Sequence, residues 1–157
     1  MSAVTPSGAE ASRPAPGTGP PAHEVGDGRV LVVDDEEPNR VLLRDWLEAQ
    51  GHAVTEAADG EQALEAVGST APDVILLDVM LPRMDGFEVC RRLKADARTA
   101  PIPILLITAL TDRQDRLAGI QAGANDFLTK PIDAPKLRRT LARHVRRSPG
   151  TQTVDSA

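Results

Sequence analysis

Tyrosine is absent from this chain of 157 residues, and two phenylalanines and one tryptophan bring the aromatic share to only 2%. Any core must therefore be aliphatic, and too few rings are present to stack bases or sugars, which disfavours nucleic-acid recognition through aromatic platforms. Cysteine occurs once, at Cys90. That excludes an intrachain disulfide and a thiolate metal site, and it points to the cytosol as the natural compartment. Positive charge is in deficit, the formal net charge being -5, so only a local basic patch could hold a polyanion. No apolar window is long enough to cross a bilayer, and the amino terminus lacks the basic region and apolar core of a secretory signal. What is present, 41% hydrophobic and 26% charged residues, suits one globular domain with some unstructured sequence and a cytoplasmic location.

Residues 1–28 are rich in Pro, Gly, Ala and Ser, as in Arg13-Pro14-Ala15-Pro16-Gly17. Ordering them would cost backbone entropy with almost no apolar burial in return, so they read as a disordered leader. The irregular proline spacing favours a solubilising tail over a ligand for a proline-binding partner. A domain is expected over 29–147, and the polar stretch 148–157 reads as a frayed tail.

Within the domain, strand and helix signals alternate five times. Val30 to Val33 is apolar and β-branched and runs into Asp34-Asp35-Glu36-Glu37-Pro38. Pro38 suits the first turn of a helix carrying Leu42/Trp46 and Leu43/Leu47, which Gly51 ends. Ala53 to Glu56 is a short strand, and Asp59-Gly60 leads a helix with Ala63, Leu64 and Val67 on one face. Val74-Ile75-Leu76-Leu77 ends abruptly in Asp78, and after the loop a helix carries Phe87, Cys90, Leu93 and Lys94 on its inner side. Cys90 reads as a small core residue. Ile102 to Ile107 is a strand ending at Thr108, with Pro103 near its start. Asp112 begins a helix bearing Leu117 and Ile120, closed by Gly123. Asp126 to Thr129 is a fifth strand, followed by Lys130-Pro131, and Asp133 is the expected cap of a last helix. That helix sets Leu137, Leu141 and Val145 on one face and Lys136, Arg138, Arg139, Arg143, Arg146 and Arg147 around the rest. Such alternation with right-handed crossovers makes an α/β, doubly wound parallel sheet with helices on both faces the economical architecture.

In that architecture all strand carboxyl ends share one edge, where ligands bind. The edge would collect Asp34, Asp35, Asp78, Thr108 and Lys130. Each alone could be a cap or a loop charge, but three carboxylates, a hydroxyl and an ammonium at five strand ends read as a site. Crowded carboxylates take up a proton or a cation. With no histidine or thiol among them, the fitting ion is hard and oxygen-seeking: Mg²⁺, with Mn²⁺ as a substitute. A metal invites a phosphoryl group, whose oxygens Lys130 can neutralise and Thr108 can donate to, with room beside Ala109. Either Asp78 attacks phosphorus, or the acids hold metal for a substrate that reacts elsewhere.

The segments Val32-Val33-Asp34-Asp35-Glu36, Asp78-Val79-Met80-Leu81-Pro82-Arg83-Met84-Asp85-Gly86, Ile107-Thr108-Ala109 and Phe127-Leu128-Thr129-Lys130-Pro131 closely resemble the receiver domains of two-component response regulators. Four motifs in the right order, over about Gly28 to Arg147, carry the resemblance. It implies a flavodoxin-like sheet of order 2-1-3-4-5, an order the family shares with a chemotaxis member. It implies that Asp78 is the phosphoacceptor of a phosphorelay, charged by a sensor histidine kinase or histidine phosphotransfer protein. Asp35, Asp78 and the Met80 carbonyl would bind Mg²⁺, and Asp34 would act through water. Thr108 and Lys130 would contact the phosphoryl oxygens and relay the change to a protein effector at the face of the last two helices and last strand, a homodimer being one outcome. Phe127 matches the switch aromatic, though the ring serves equally as a core side chain; many relatives have tyrosine there, and phenylalanine brings no hydroxyl. Lys130-Pro131 is expected to be cis. The positions that tune phosphoryl lifetime, Met80 and Leu110, are apolar, which implies slow self-dephosphorylation and no turnover as an enzyme.

An aspartyl-phosphate phosphohydrolase would want a second acid two residues after Asp78, where Met80 stands. A nucleotide or flavin domain would want a Gly-rich or hydroxyl-rich cradle after its first strand, where Asp34-Asp35-Glu36-Glu37 repels phosphate. A pseudo-receiver scaffold remains as a further alternative. The basic last helix reads as a solvated or docking face rather than a DNA reader, because no helix-turn-helix follows it. The ending after Arg147 suits a stand-alone regulator or the receiver part of a longer protein, and Met1 with the leader favours the former.

Overall fold

The computed structural model describes residues 28–109 and 113–145. The leader, the tail, Leu110, Asp112, Arg146 and Arg147 lie outside the described residues, and with them the expectations placed there. The described chain runs β1 (Arg29–Val33), α1 (Glu37–Ala49), β2 (Ala53–Ala57), α2 (Gly60–Thr70), β3 (Val74–Asp78), α3 (Gly86–Ala95), β4 (Ile104–Thr108), α4 (Arg113–Ala122), β5 (Asp126–Thr129) and α5 (Ala134–His144). All five strands are parallel in the order β2-β1-β3-β4-β5, the order the resemblance implied.

Side-chain alternation along the strands divides the core in two. Val30 and Val32 of β1, Val74 and Leu76 of β3, and Leu105 and Ile107 of β4 face α1 and α5, meeting Leu43, Leu47, Leu137 and Leu141. Leu31, Val33, Ile75, Leu77, Ile104 and Leu106 face the opposite way and meet Ala63, Val67, Val89, Cys90 and Leu93. Both faces of the central strands are covered, which is why β3 and β4 read as unbroken apolar runs. Cys90 is part of this core: its thiol donates to the Ala122 carbonyl at 3.3 Å, and burial pushes it up to about 11, leaving it protonated and unreactive.

The elements differ from the sequence reading in identifiable ways. β4 begins at Ile104, so Pro103 precedes the strand. Proline has no N–H for the ladder, and the Ile104 N–H is taken by Asn125 Oδ1 at 2.9 Å. β2 extends one residue further, to Ala57. Asp133 stands at the N-cap of α5, but its side chain makes no capping hydrogen bond, whereas Asp59 and Asp85 do cap α2 and α3. Leu42 is exposed while Leu43 and Leu47 are buried, so the second apolar pair of α1 faces the core and the first lies at its margin. Lys94 is half-buried, and its ammonium reaches the Ala100 and Ile102 carbonyls at 2.8 Å each. On α4, Leu117 and Ile120 point outward, 50% and 59% exposed. The buried residues of that helix are Gly119 and Ala122.

Candidate functional site

Four strand ends and their loops assemble the site. The backbone carries the sheet bonding just past the strands: Asp34 N donates to Ala57 O at 3.1 Å, Val79 N to Ile107 O at 3.0 Å, and Lys130 N to Thr108 O at 2.9 Å. Asp34, Asp78 and Thr108 are thereby held on rigid backbone, each at most 6% exposed, while Asp35 is exposed at the rim. One carboxylate oxygen from each of Asp34, Asp35 and Asp78 lies within 4.8 Å of the others. Lys130 closes the site, its Nζ 2.7 Å from Asp78 Oδ2. The sequence-predicted residues Asp34, Asp35, Asp78, Thr108 and Lys130 therefore all converge on the mouth of β1, β3, β4 and β5. The Lys130–Pro131 peptide is cis, as expected.

Local hydrogen bonds orient the acids. Asp34 Oδ1 accepts from the Glu36 N–H at 2.9 Å, and Asp78 Oδ1 accepts from the Met80 N–H at 2.9 Å. Asp78 therefore has one oxygen tied to its own loop and the other to Lys130. The Met80 side chain is 63% exposed, so what this residue offers the site is its backbone. An open cleft of about 550 Å³, lined among others by Asp35, Asp78, Met80, Phe87 and Lys130, leaves room for an entering group.

The electrostatics are those of unmet negative charge. Burial pushes the Asp34 carboxyl up to about 6, and the Asp78 charge adds to this, while the Glu36 N–H and the Lys130 ammonium oppose it. Burial alone would lower the Lys130 ammonium; its hydrogen bond to Asp78 and the charges of Asp78, Asp34 and Glu36 raise it instead, so it stays charged. A single ammonium among buried acids, with only oxygen donors present, fits a hard divalent cation. A pH dependence follows. The folded-state value for Asp34 lies above the unfolded value near 3.8, so its contribution to stability is fully present below the unfolded value and is lost as pH rises through about 6. Without metal, urea midpoints should fall between about pH 4 and pH 7, and saturating Mg²⁺ should reverse the trend because it binds the ionised form. A metal-free midpoint that rises with pH across that window, once Asp34→Asn has been subtracted, would show the assignment to be wrong.

Two glycines let the backbone and one ring sit where they do. A Cβ on Gly86 would run into the Asp78 carbonyl oxygen and Val79 Cα, so this residue keeps α3 pressed against the strand end that carries Asp78. A Cβ on Gly119 of α4 would stand 2.5 Å from Phe127 Cε1 and 2.7 Å from Cζ. Phe127 is half-buried in that seat, and the Arg116 guanidinium lies 5.1 Å from its ring centroid. Alanine is the better helix former by about 1 kcal/mol, but overpacking against a ring costs about 1–3 kcal/mol. Gly119→Ala should therefore lower stability by about 1 kcal/mol in urea denaturation. In a Phe127→Leu background the same change should be neutral or stabilising, and equal losses in both backgrounds would refute the seat.

Comparison with known proteins decides what kind of site this is. Residues 30–142 match the family model described as response regulator receiver domain. The chain belongs to that family. Response regulator PleD of Caulobacter vibrioides is 56% identical over 105 residues, an alignment covering 67% of this chain and 23% of PleD. A response regulator structure from Chloroflexus aurantiacus superposes with a TM-score of 0.73 at 36% identity, covering 76% of this chain and 98% of that one. The receiver domain of a Pseudomonas aeruginosa sensor histidine kinase, described with a magnesium ion coordinated in its active-site cleft, superposes with a TM-score of 0.70 at 35% identity, covering 75% and 97%. The chain thus carries a receiver domain, the phosphoacceptor module of two-component signalling, and the family is a signalling one. It spans less than a quarter of PleD. Among the described residues no helix is long and apolar enough to cross a membrane.

Some residues that shape this receiver site carried no readable signal. Arg40 donates to the Asp34 carbonyl at 2.7 Å and pairs with Glu56 of β2 at 3.1 Å, fixing the β1 turn from a distance. Glu36 reads as one more loop acid, yet its N–H orients Asp34. Gly86 is a third: it stands in the loop motif, but nothing in the sequence showed that it lets α3 approach the Asp78 carbonyl.

Proposed function

We propose that this receiver domain stores a phosphoryl group on Asp78. The observation that carries the reading is a buried carboxylate on a rigid strand end, with one oxygen held by Met80 N–H, the other by Lys130, and two further acids at the same mouth. Asp78 attacks phosphorus of a phosphohistidine; the new O–P bond forms as the P–N bond breaks, and the imidazole leaves with the electron pair. Asp35, Asp78 and the Met80 carbonyl would hold Mg²⁺, or Mn²⁺ in its place, with Asp34 acting through water, and the ion would supply charge neutralisation for the acids and the incoming oxygens. Lys130 moves from the Asp78 oxygen to a phosphoryl oxygen, and the Thr108 hydroxyl donates to another. Displacement of Thr108 and Lys130 then acts on Phe127, three residues before the ammonium along the chain, and the change is read by a protein effector at the α4–β5–α5 face.

The phosphodonor is a sensor histidine kinase or a histidine phosphotransfer protein, working in the cytosol. Beside the site, an apolar groove of about 410 Å³ between α1 and the segment after β5, lined by Leu42, Leu43, Trp46 and Ile132, offers such a donor a docking edge. Met80 brings no carboxylate or amide to orient an attacking water, so the adduct decays slowly and the domain does not turn over as an enzyme. The domain organisation follows: leader 1–28, receiver 29–147, tail 148–157. The test is incubation with Mg²⁺ and acetyl phosphate followed by intact-mass measurement. A gain of one phosphoryl group supports the reading; continuous release of inorganic phosphate from phosphoesters favours a hydrolase, and no adduct with any donor favours a pseudo-receiver.

A further inference from the structure

Two non-glycine residues in the described chain have a positive φ, Ala71 at 48° and Arg83 at 67°. Ala71 is the left-handed C-cap of α2, a place where helices commonly end in that conformation. Arg83 ends no helix. It stands in the loop between β3 and α3, where an L residue at such a φ is strained and persists only if its surroundings hold it. The hydrogen bonding defines the shape. The Met84 N–H donates to the Pro82 carbonyl at 2.7 Å, across Arg83, which with the positive φ makes the rarer and strained form of the γ-turn.

Both ends of this loop are tied. At its base the Val79 carbonyl accepts from the Leu81 N–H at 3.1 Å and from the Gly86 N–H at 2.9 Å. At its far end the Arg83 guanidinium reaches Asp59 Oδ2 at 2.8 Å, while Asp59 Oδ1 caps α2 by accepting from the Gln62 N–H at 2.8 Å. The side chain after Arg83 is seated on the same helix turn, since a Cβ on Gly60 would stand 3.1 Å from Met84 Sδ. Between the two ties lies Met80, whose N–H holds Asp78 Oδ1. The Arg83 side chain is 68% exposed, so its ion pair adds little to overall stability. What the pair can do is select one path for the loop, because an untethered arginine at this position would return to negative φ and open the turn.

We propose that Asp59 latches the strained Arg83 turn and that this latch sets the Met80 backbone against Asp78, which makes Arg83 a positioning residue for metal binding and phosphoryl uptake. The inference rests on the role proposed above for the Met80 carbonyl. Latch and strain imply each other, because only a residue that resists positive φ has to be held there. Glycine adopts positive φ at no steric cost, so Arg83→Gly should make the latch unnecessary. Arg83→Ala keeps the resistance and loses the guanidinium. A purely electrostatic role is separable from this one. Loss of the Arg83 charge is the same in both variants, and loss of the Asp59 charge acts on a bound cation alike whichever residue occupies position 83.

The test compares Arg83→Ala, Arg83→Gly, Asp59→Asn and Asp59→Asn/Arg83→Gly in the full chain. Asparagine caps a helix as well as aspartate does, so α2 is kept, and circular dichroism checks each fold. Calorimetric Mg²⁺ affinity should fall about three- to fivefold in Arg83→Ala and in Asp59→Asn, the most that an exposed ion pair can carry into the loop. It should stay close to that of the unaltered chain in Arg83→Gly and return there in the double variant. In the metal-free chain the Met80 amide should exchange with solvent faster in the two weakened variants only. With acetyl phosphate, the Mg²⁺ concentration for half-maximal uptake should rise in those two, with the rate at saturating Mg²⁺ unchanged. Equal affinities in Arg83→Ala and Arg83→Gly, an Asp59→Asn loss that persists beside Arg83→Gly, or no change in any variant overturns the proposal. Intact mass separates this from the receiver reading. The expected pattern in Mg²⁺ affinity and Met80 exchange, without phosphate uptake by the unaltered chain, would refute the phosphoacceptor role and leave the latch standing. Phosphate uptake without that pattern would do the reverse.

Discussion

Asp78→Asn should take up no phosphate from acetyl phosphate under conditions where the unaltered chain gains one phosphoryl group. Asparagine is nearly isosteric, so the strand end and the Met80 N–H bond at 2.9 Å can persist, but an amide oxygen is too poor a nucleophile to form a stable adduct. Two further readings separate loss of the nucleophile from loss of the fold. The Asp34 carboxyl, which the Asp78 charge helps to push up to about 6, should titrate lower in the variant. Mg²⁺ affinity should fall roughly tenfold or more, since one of three unit charges near the ion is gone. The thermal midpoint should change little, because relief of the repulsion between Asp34 and Asp78 offsets the loss of the Lys130 ion pair. Phosphate uptake that persists in Asp78→Asn would transfer the role to Asp34 or Asp35 and sink the assignment.

Lys130→Met should slow phosphate uptake by about 10²- to 10³-fold, the usual loss when one preorganised donor to a developing phosphoryl charge is removed. The same variant should bind Mg²⁺ more tightly, because the ammonium now 2.7 Å from Asp78 competes for the same carboxylates. The Asp34 carboxyl should rise further, since the Lys130 charge is one of the two influences that hold it down. These three changes have different signs. A purely structural lesion would weaken uptake and metal binding together, so weaker Mg²⁺ binding measured by calorimetry would reject the role given to Lys130. Lys130→Arg separates charge from shape: it should restore the metal competition but not the uptake rate, because a planar fork does not place its charge where the ammonium stands.

Much of the domain was legible in the order of its residues. β3 is buried at all five positions, and a strand covered on both faces must be apolar throughout, so Val74 to Leu77 could be read directly and Asp78 stood out as its one polar residue. Asp34, Thr108 and Lys130 were legible for the same reason, as polar residues that end apolar runs. Once the strands are parallel, their carboxyl ends must share an edge, and the site follows from topology rather than from any local signal. The glycine ends of α1 and α4 and the Asp59-Gly60 start of α2 were likewise local and readable, whereas the Asp85 cap of α3 was seen only in the structure.

The errors fall where packing depends on something other than hydrophobicity. The apolar residues of α4 mark its outward side, because its inward side must be thin enough to seat the Phe127 ring and is built from Gly119 and Ala122. An apolar-face argument measures greasiness, whereas this contact selects for small size. Pro103 misplaced the start of β4, since Ile102-Pro103-Ile104 reads as a strand unless one knows that Asn125 takes the first N–H. Asp133 looked like a cap, yet its side chain bonds nothing in the helix it precedes.

By itself the sequence determined the alternation of elements, the apolar strands and the polar residues that terminate them, because these depend on burial and local backbone preference, which act within a few residues. Tertiary structure alone decided the distances that make the terminating residues a site: the 2.7 Å contact between residues 52 apart, the Arg40 clamp on the β1 turn, the ring seated on a glycine. It also decided which cations remain unpaired, because an arginine's partner comes from whichever element folds against it. Arg143, for example, finds its carboxylate on Asp126 of β5, 17 residues away along the chain.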